Sequence, residues 1–145
     1  MARLAQEAFM QVSQIMTPDP DTAQPSDTLR VVAAKMDSGN YGSVPVVDAG
    51  RLVGVVTDRD ITVRAVAKGL GPDTTVGEVM TPDPVCIAPE SEIGEAAEIM
   101  QEEQIRRLFV TDDDDRLVGV VALADVALEE DENLSGRTLE EISEA

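Results

Sequence analysis

The 145-residue sequence contains no histidine, no tryptophan and only one cysteine, Cys86. Without histidine, a zinc site and imidazole acid–base catalysis are effectively excluded, because one cysteine cannot supply a ligand set. A single cysteine also excludes an intramolecular disulfide framework and is typical of a reducing compartment. We therefore expect a cytoplasmic protein in which Cys86 is a small, buried strand residue without chemistry of its own.

Aromatic and basic residues are also scarce. Only Phe9, Tyr41 and Phe109 are aromatic, so the core has to be built from aliphatic side chains. The chain has twenty-nine acidic and eleven basic residues. The resulting formal charge of -18 repels a nucleic-acid backbone or an anionic membrane surface. The sequence predicts no nucleic-acid partner, no membrane partner and no membrane span. An anionic ligand would have to meet a local cluster of bases.

Two segments of the chain have nearly the same sequence. Residues 12–20, VSQIMTPDP, return as residues 76–84, VGEVMTPDP. After each opening come a proline, an apolar helix pattern, two strand patterns and a Gly-Val-Val turn. This repeat indicates two similar modules, each with an apolar face too small to be buried alone. We expect the modules to dock about a pseudo-twofold axis, with two equivalent clefts between them.

Each repeat predicts the same order of helices and strands. The first helix of each carries apolar residues at i, i+3, i+4 and i+7, which are Leu29, Val32, Ala33 and Met36, then Ile93, Ala96, Ala97 and Met100. Ser26 or Asp27 and Ser91 are the expected N-caps. Strands are predicted at 43–47, 52–56, 107–111 and 117–121, and further helices begin near Asp60 and Asp125.

These patterns define a domain division and a fold class. Residues 1–11 are predicted to form an N-terminal helical extension, 12–68 the first module, 69–75 a linker, 76–128 the second module and 129–145 an acidic C-terminal tail. The predicted fold is α/β (α+β), with two pseudo-twofold-related modules that each have a small β-sheet and two packing helices. The helix stripes present more aliphatic surface than two small sheets can cover, which predicts a homodimer.

The turn after the second strand of each repeat carries the sharpest chemical signal. In the first repeat it is residues 54–60, GVVTDRD, which join a buried strand to a helix. Backbone N–H groups at the helix N-terminus, the Thr57 hydroxyl and the Asp60 carboxylate could bind an anion or a vicinal diol. Thr57-x-x-Asp60 is also the pattern of a capping box that only starts the helix. From one copy alone, the capping interpretation is favoured.

Taken together, the turn, the repeat, the paired Met-Thr-Pro openings and the strand at 42–48 resemble a tandem pair of CBS (cystathionine beta-synthase) domains, the Bateman module. The resemblance covers roughly residues 12–128. It implies that two βαββα units pair through their sheets and that their clefts bind AMP, ADP, ATP or an S-adenosyl compound. No nucleophile–base pair is visible in the sequence. We therefore expect a stand-alone regulatory pair that is not an enzyme and has no catalytic or metal site.

The resemblance also implies which residues bind the ligand. The ribose-binding aspartate falls on Asp60 and Asp125, and the phosphate-contacting hydroxyl falls on Thr57, with Ala122 at that position in the second repeat. Arg107 is the expected phosphate contact from across the module interface, and Arg59 and Arg106 are further candidates. The strand that lines the base pocket supplies Tyr41, Ser43, Val44 and Pro45 in one copy, and Leu108 and Phe109 in the other.

Three alternatives stay open at this point. Tyr41 is equally compatible with an ordinary half-buried aromatic residue. Residues 112–115, four aspartates, could attract a divalent cation, but without the spaced ligands of a calcium loop they favour a solvated hairpin turn. The same fold could also serve as an interaction or scaffold protein that binds no small molecule, with the motif residues acting as caps and packing.

Overall fold

The computed structural model describes residues 10–129. Most of the predicted N-terminal extension and acidic tail therefore lies outside the described residues. The elements follow in this order: α1 (Val12–Ile15), β1 (Thr17–Pro18), α2 (Leu29–Gly39), β2 (Ser43–Asp48), β3 (Arg51–Thr57), α3 (58–68), α4 (Val76–Val79), β4 (Thr81–Pro82), β5 (Cys86–Ile87), α5 (Ile93–Glu103), β6 (Arg107–Thr111), β7 (Leu117–Ala122) and α6 (123–129). The predicted mixed α/β fold with two similar halves is confirmed.

The N-caps of α2 and α5 lie one or two residues after their expected positions. Thr28 is the N-cap of α2, and its hydroxyl accepts a hydrogen bond from the Val31 N–H at 3.3 Å. Asp27, one of the predicted caps, instead accepts from the Gln24 N–H in the preceding turn. In α5 the N-cap position is Glu92, not Ser91, and it makes no side-chain cap. The prediction of these caps was wrong because a side chain can bond equally well to the turn before a helix.

Two small sheets form the centre of the molecule, and each contains a strand from the other repeat. One sheet has the strand order β2-β3-β4, and the second has the order β1-β7-β6-β5. In the first sheet, Gly54 lies opposite Pro82 of the second repeat. In the second sheet, Gly119 lies opposite Pro18 of the first repeat. The Met-Thr-Pro opening of each repeat therefore completes the sheet of the other.

The glycines of the two Gly-Val-Val turns make this exchange possible. A side chain on Gly54 would come within 2.7 Å of the Met80 sulfur and 3.0 Å of the Thr81 carbonyl. A side chain on Gly119 would come within 2.5 Å of the Met16 sulfur and 3.0 Å of the Thr17 carbonyl. The opening strands can approach this closely only because both positions lack a Cβ.

The hydrophobic core consists of two clusters with the same crosswise arrangement. Val76 and Val79, from the second repeat, belong to the cluster beneath α2, whereas Val12 belongs to the cluster beneath α5. Five of the eight stripe residues of α2 and α5 are buried within the chain: Leu29, Val32, Ile93, Ala96 and Met100 are at most 7% exposed. Met36 and Ala97 are half-buried and Ala33 is exposed, so the stripes leave less uncovered surface than the sequence suggested.

The four aspartates at 112–115 form the hairpin turn between β6 and β7. The Asp112 carboxylate accepts hydrogen bonds from the N–H groups of Asp114 at 2.9 Å and Arg116 at 3.0 Å. Asp115 adopts the left-handed conformation with φ of 62°. The turn interpretation of this segment is confirmed, because its first carboxylate bonds to the backbone of its own loop.

Candidate functional site

Two neighbouring cavities lie between the repeats, and the larger of this pair has a volume of about 650 Å³. From the first repeat it is lined by the start of β2 and the end of β3. From the second repeat it is lined by the loop after β4 and by β6. The lining residues are Gly42, Ser43, Val55, Thr57, Asp58, Thr81, Asp83, Pro84, Val85, Ile105, Arg106, Arg107 and Phe109. The predicted meeting of Thr57 with Arg107 across the interface is present in this cavity.

Thr57 and Asp60 form a complete capping box at the start of α3. The Asp60 N–H donates to the Thr57 hydroxyl, and the Thr57 N–H donates to Asp60 Oδ2, both at 3.0 Å. The second carboxylate oxygen, Oδ1, lies 3.8 Å from Nε of Arg64. A carboxylate oxygen has two lone pairs, so this long contact leaves Oδ1 able to accept from a further donor. Asp60 is 14% exposed and is not itself a lining residue of the cavity.

Arg64 connects this motif to the opening of the second repeat. Its Nη1 donates to the carbonyl oxygens of Val79 and Met80, each at 3.2 Å. These carbonyls belong to the C-terminal end of α4, where a cation is electrostatically favoured. Arg64 thus lies between Asp60 and the segment that enters the larger cavity as β4.

The wall contributed by β6 brings two arginines into an otherwise acidic molecule. Arg106 and Arg107 line the larger cavity opposite Asp58 and Asp83. The two positive and two negative charges of this lining balance, so the cavity repels an anion less than the surface of a chain with formal charge -18 does. Phe109 lies in the same wall and is 5% exposed.

Arg107 reaches from the second repeat onto β2 of the first. Its Nη1 donates to the Ser43 carbonyl at 3.2 Å. Its guanidinium carbon lies 5.4 Å from the centre of the Tyr41 ring, within the range of a cation–π contact. Arg107 and Ser43 both line the two cavities. The guanidinium therefore lies at the boundary between them.

The smaller cavity, of about 300 Å³, has a more acidic lining. It is bounded by Thr17, Asp19, Pro20, Asp21, Tyr41, Ser43, Pro45, Arg107 and Val120. The Tyr41 hydroxyl donates to the Asp21 carboxylate at 2.6 Å. Burial, followed by this hydrogen bond and the negative charge of Asp21, raises the pKa of Tyr41 to about 12, whereas the Arg107 charge opposes the shift. Two carboxylates against one shared arginine disfavour a phosphate here.

The structure separates the predicted ligand residues into three groups. Thr57, Ser43, Arg106 and Arg107 line the larger cavity, and Tyr41, Ser43, Pro45 and Arg107 line the smaller one. Val44 and Leu108 are fully buried in the two cores, because neighbours on a strand point to opposite faces. Arg59 and Asp125 are exposed and line neither cavity.

The two differences between the repeats do not fall in one cavity. The family resemblance assigned Phe109, which corresponds to Pro45 of the first repeat, to the base pocket of the second copy. In the structure Phe109 shares the larger cavity with Thr57, while Pro45 lies in the smaller one. Ser43 of β2 and Arg107 of β6 line both cavities, so each cavity is built from both repeats.

Several lining residues were not found from the sequence. They include Asp21, Asp58, Asp83 and Val85. A signal for two related positions existed in the paired Pro-Asp-Pro segments, where Asp19 and Asp83 adopt left-handed φ values of 48° and 51°. Such values are uncommon for residues other than glycine and are enriched for aspartate and asparagine. They direct the loops after β1 and β4 into the cavities.

No helix in residues 10–129 has both the length and the apolar character needed to cross a membrane. No group of three or more histidine, cysteine or carboxylate residues in the same range is arranged to hold a metal ion.

Comparison with known proteins gives a consistent family. The chain matches the family described as CBS domain over residues 12–66 and 76–131. The CBS domain-containing protein YhcV of Bacillus subtilis is 40% identical over 133 residues, which are 91% of this chain and 94% of that protein.

Two solved structures share the whole architecture. The structure of CBSX2 in complex with AMP superposes with a TM-score of 0.74 at 26% identity, covering 84% of this chain and 96% of that one. The CBS domain pair of protein MJ0100, solved with 5′-methylthioadenosine and S-adenosyl-L-methionine, gives a TM-score of 0.75 at 27% identity and covers 86% and 98%. With two family matches that together span most of its length, this chain belongs to the CBS domain family and contains a tandem CBS pair.

Proposed function

We propose that this protein is a regulatory module that binds an adenosine nucleotide or a related adenosyl compound in the larger cavity. The observation that carries the proposal is the convergence of Thr57, Arg106 and Arg107 from different repeats on one cavity of about 650 Å³. This volume lies in the range of small-molecule sites. Related CBS pairs have been solved with AMP and with S-adenosyl-L-methionine, which supports an adenosyl ligand.

The proposed contacts are made by residues that line the cavity and by Asp60, which is hydrogen-bonded to the lining residue Thr57. Asp60 Oδ1 accepts from a ribose hydroxyl, while Oδ2 keeps its bond to the Thr57 N–H. Arg107 and Arg106 bind the phosphate, and apolar side chains such as Val55, Val85 and Phe109 face the base. In this arrangement one ligand touches both repeats.

The proposed mechanism is a change in the relative orientation of the two modules. A ligand held by both repeats stabilises the orientation in which its contacts are simultaneously satisfied. A protein target or a second copy of the chain then recognises that orientation. We propose this regulatory role, in the cytoplasm, in place of a catalytic one, because the cavity's titratable groups include no nucleophile paired with a base.

The proposal is tested by thermal unfolding with AMP, ADP, ATP, S-adenosyl-L-methionine, 5′-methylthioadenosine and adenosine. A ligand at 100 times its dissociation constant adds about 2.7 kcal/mol of stability. For a domain of this size, the melting temperature should rise by roughly 5 to 10 °C. Guanosine monophosphate, with a different base and the same phosphate, is the control.

The same substitution in the two repeats gives a matched pair of variants. Asp60→Asn keeps an oxygen for the Thr57 N–H but removes the charge that binds the ribose diol, so AMP affinity should fall by about tenfold. Asp125→Asn makes the equal charge change at an exposed residue, in a turn that has Ala122 in place of the Thr57 hydroxyl, and should leave the affinity within about twofold. Equal effects of the two substitutions would contradict the assignment of the larger cavity.

A ligand-free scaffold of the same fold is the second candidate. It is favoured by the complete capping box, in which Thr57 and Asp60 already bond to each other, and by the bond of Arg107 to Ser43. If none of the six compounds changes the melting temperature at millimolar concentration, the scaffold role replaces the ligand-binding one.

A further inference from the structure

Arg107 is the one side chain of the proposed phosphate site that is held by the opposite repeat through an aromatic ring. Its guanidinium carbon lies 5.4 Å from the Tyr41 ring centre, and its Nη1 donates to the Ser43 carbonyl. Tyr41 lines the smaller cavity and is absent from the lining of the larger one. The ring therefore contacts the cation without lining the cavity of the proposed ligand.

Tyr41 is itself restrained from two directions. Its hydroxyl donates to the Asp21 carboxylate at 2.6 Å. Its ring packs over Gly39, where an added Cβ would overlap the ring carbons. A ring fixed at its edge and at its hydroxyl loses little further conformational entropy when it holds a partner. Asp21 and Gly39 together give Arg107 a rigid support.

The support leaves Arg107 able to bind an anion. A guanidinium has five N–H donors in one plane. The contact with Ser43 uses one of them, and an aromatic ring within cation–π distance interacts with the guanidinium carbon rather than with its N–H edge. The unused donors are available to the larger cavity, which Arg107 also lines.

We propose that Tyr41, braced by Asp21, is a positioning residue that holds Arg107 for phosphate recognition in the larger cavity. The inference rests on the proposed function and adds a specificity determinant to it. Tyr41 acts through Arg107 and does not touch the ligand, in contrast to the base-pocket role implied by family resemblance. Phosphate affinity in one cavity thus depends on residues that line the other.

A coupling between the cavities follows from this arrangement. Any molecule that enters the smaller cavity and displaces the Tyr41 ring removes the support of Arg107. By linkage, a phosphate bound to Arg107 opposes that displacement to the same extent. The two cavities are therefore expected to bind their ligands with negative cooperativity.

The test compares AMP with adenosine by titration calorimetry on the full chain and on two variants, Tyr41→Ala and Tyr41→Phe. Tyr41→Ala removes the ring and should raise the dissociation constant of AMP about three- to fivefold. The dissociation constant of adenosine, which has no phosphate, should change less than twofold. Tyr41→Phe keeps the ring but loses the hydrogen bond to Asp21, so its dissociation constant for AMP should lie between those of the parent and Tyr41→Ala, with adenosine again changed less than twofold.

The fluorescence of Tyr41 provides a second measurement, which should not respond to AMP if Tyr41 has a purely structural role. Tyr41 is the sole tyrosine and the chain has no tryptophan, so its fluorescence reports on this contact alone. AMP should change the emission of the parent, and adenosine should change it much less. Arg107→Lys keeps the charge but lacks the planar group that stacks on the ring. In this variant, AMP and adenosine should change the tyrosine emission to the same small extent. Arg107→Lys also replaces Tyr41→Ala in the test if Tyr41→Ala does not fold.

The outcomes separate this inference from the proposed function. If the parent binds neither AMP nor adenosine, both are overturned. If Tyr41→Ala weakens AMP and adenosine equally, Tyr41 is a base contact and the positioning role is wrong while the proposed function stands. If Tyr41→Ala changes neither affinity, Arg107 does not need the ring, and the positioning role is again overturned.

Discussion

At the scale of single residues, the two carboxylate oxygens of Asp60 have different roles: one caps a helix and the other is proposed to bind the ligand. Oδ2 accepts the Thr57 N–H at 3.0 Å, which starts α3 whether or not a ligand is present. Oδ1 has only the 3.8 Å contact with Arg64. The capping and ribose-binding interpretations of this motif are therefore compatible, because they use different oxygens of one side chain.

The titration of Tyr41 is the first residue-scale prediction. Its pKa is raised from 10.0 to about 12 by burial, the hydrogen bond to Asp21 and the Asp21 charge. Because the folded chain holds the phenol proton more tightly than the unfolded chain, this contribution to stability is complete below pH 10. It is lost as the pH rises from about 10 to about 12. Ultraviolet absorbance of tyrosinate measures the transition directly.

Two variants test the causes of this shift. Asp21→Asn removes the negative charge and should lower the pKa of Tyr41 toward 10. Arg107→Ala removes the cation that favours the phenolate and should raise the pKa further. A parent that titrates near pH 10 would show that the hydroxyl is solvated and that Asp21 does not brace the ring.

At the scale of elements, each short opening strand depends on a glycine in the opposite repeat. Gly119→Ala would place a methyl group against the Met16 sulfur and the Thr17 carbonyl, forcing β1 away from β7. Overpacking of this kind destabilises by about 1 to 3 kcal/mol. Urea unfolding of the variant and the parent measures the difference.

Gly94→Ala is the matched control for this substitution. Gly94 lies in α5, and an added Cβ there would have nothing within 4 Å. Alanine lowers the entropy of the unfolded chain and favours the helix, so stability should rise by about 0.4 to 1 kcal/mol. If both variants gain stability, β1 and β7 are not packed as closely as the structure shows.

At the scale of the whole molecule, the predicted homodimer needs a different surface from the one the sequence suggested. The apolar stripes of α2 and α5 are mostly buried within the chain, but Val63 and Val66 of α3 and Leu128 of α6 are 45%, 66% and 57% exposed. Val63 and Leu128 occupy corresponding positions of the two repeats. A twofold contact between copies would bury the same apolar residues on both sides.

We expect a dimer at micromolar concentration by light scattering, strengthened by salt because the acidic charges of two copies repel. Val66→Asp should yield a monomer, whereas Val31→Asp, at a 42% exposed position on α2, should leave the dimer intact. A parent chain that is monomeric in both low and high salt would contradict this prediction.

The sequence by itself determined the repeat, the longer helices and the four longer strands in their order, and the turn that carries Thr57 and Asp60. Such features are encoded by apolar periodicity, by glycine and proline and by caps, all of which act between residues close in the chain. Cap positions were still misjudged at Asp27 and Ser91, because neighbouring polar side chains compete for the same backbone groups.

Only the tertiary structure decided which parts of the two repeats meet. The exchange of β1 and β4 between the sheets, the sharing of one cavity by Thr57 and Phe109, and the contact of Arg107 with Tyr41 all join residues distant in sequence. The pattern of apolar residues around β1 and β4 would be the same if these two-residue strands joined the other sheet, so it cannot predict which sheet they join. The choice is made by the close approach at Gly54 and Gly119 and by burial of the openings in the opposite core, which depend on the docked modules.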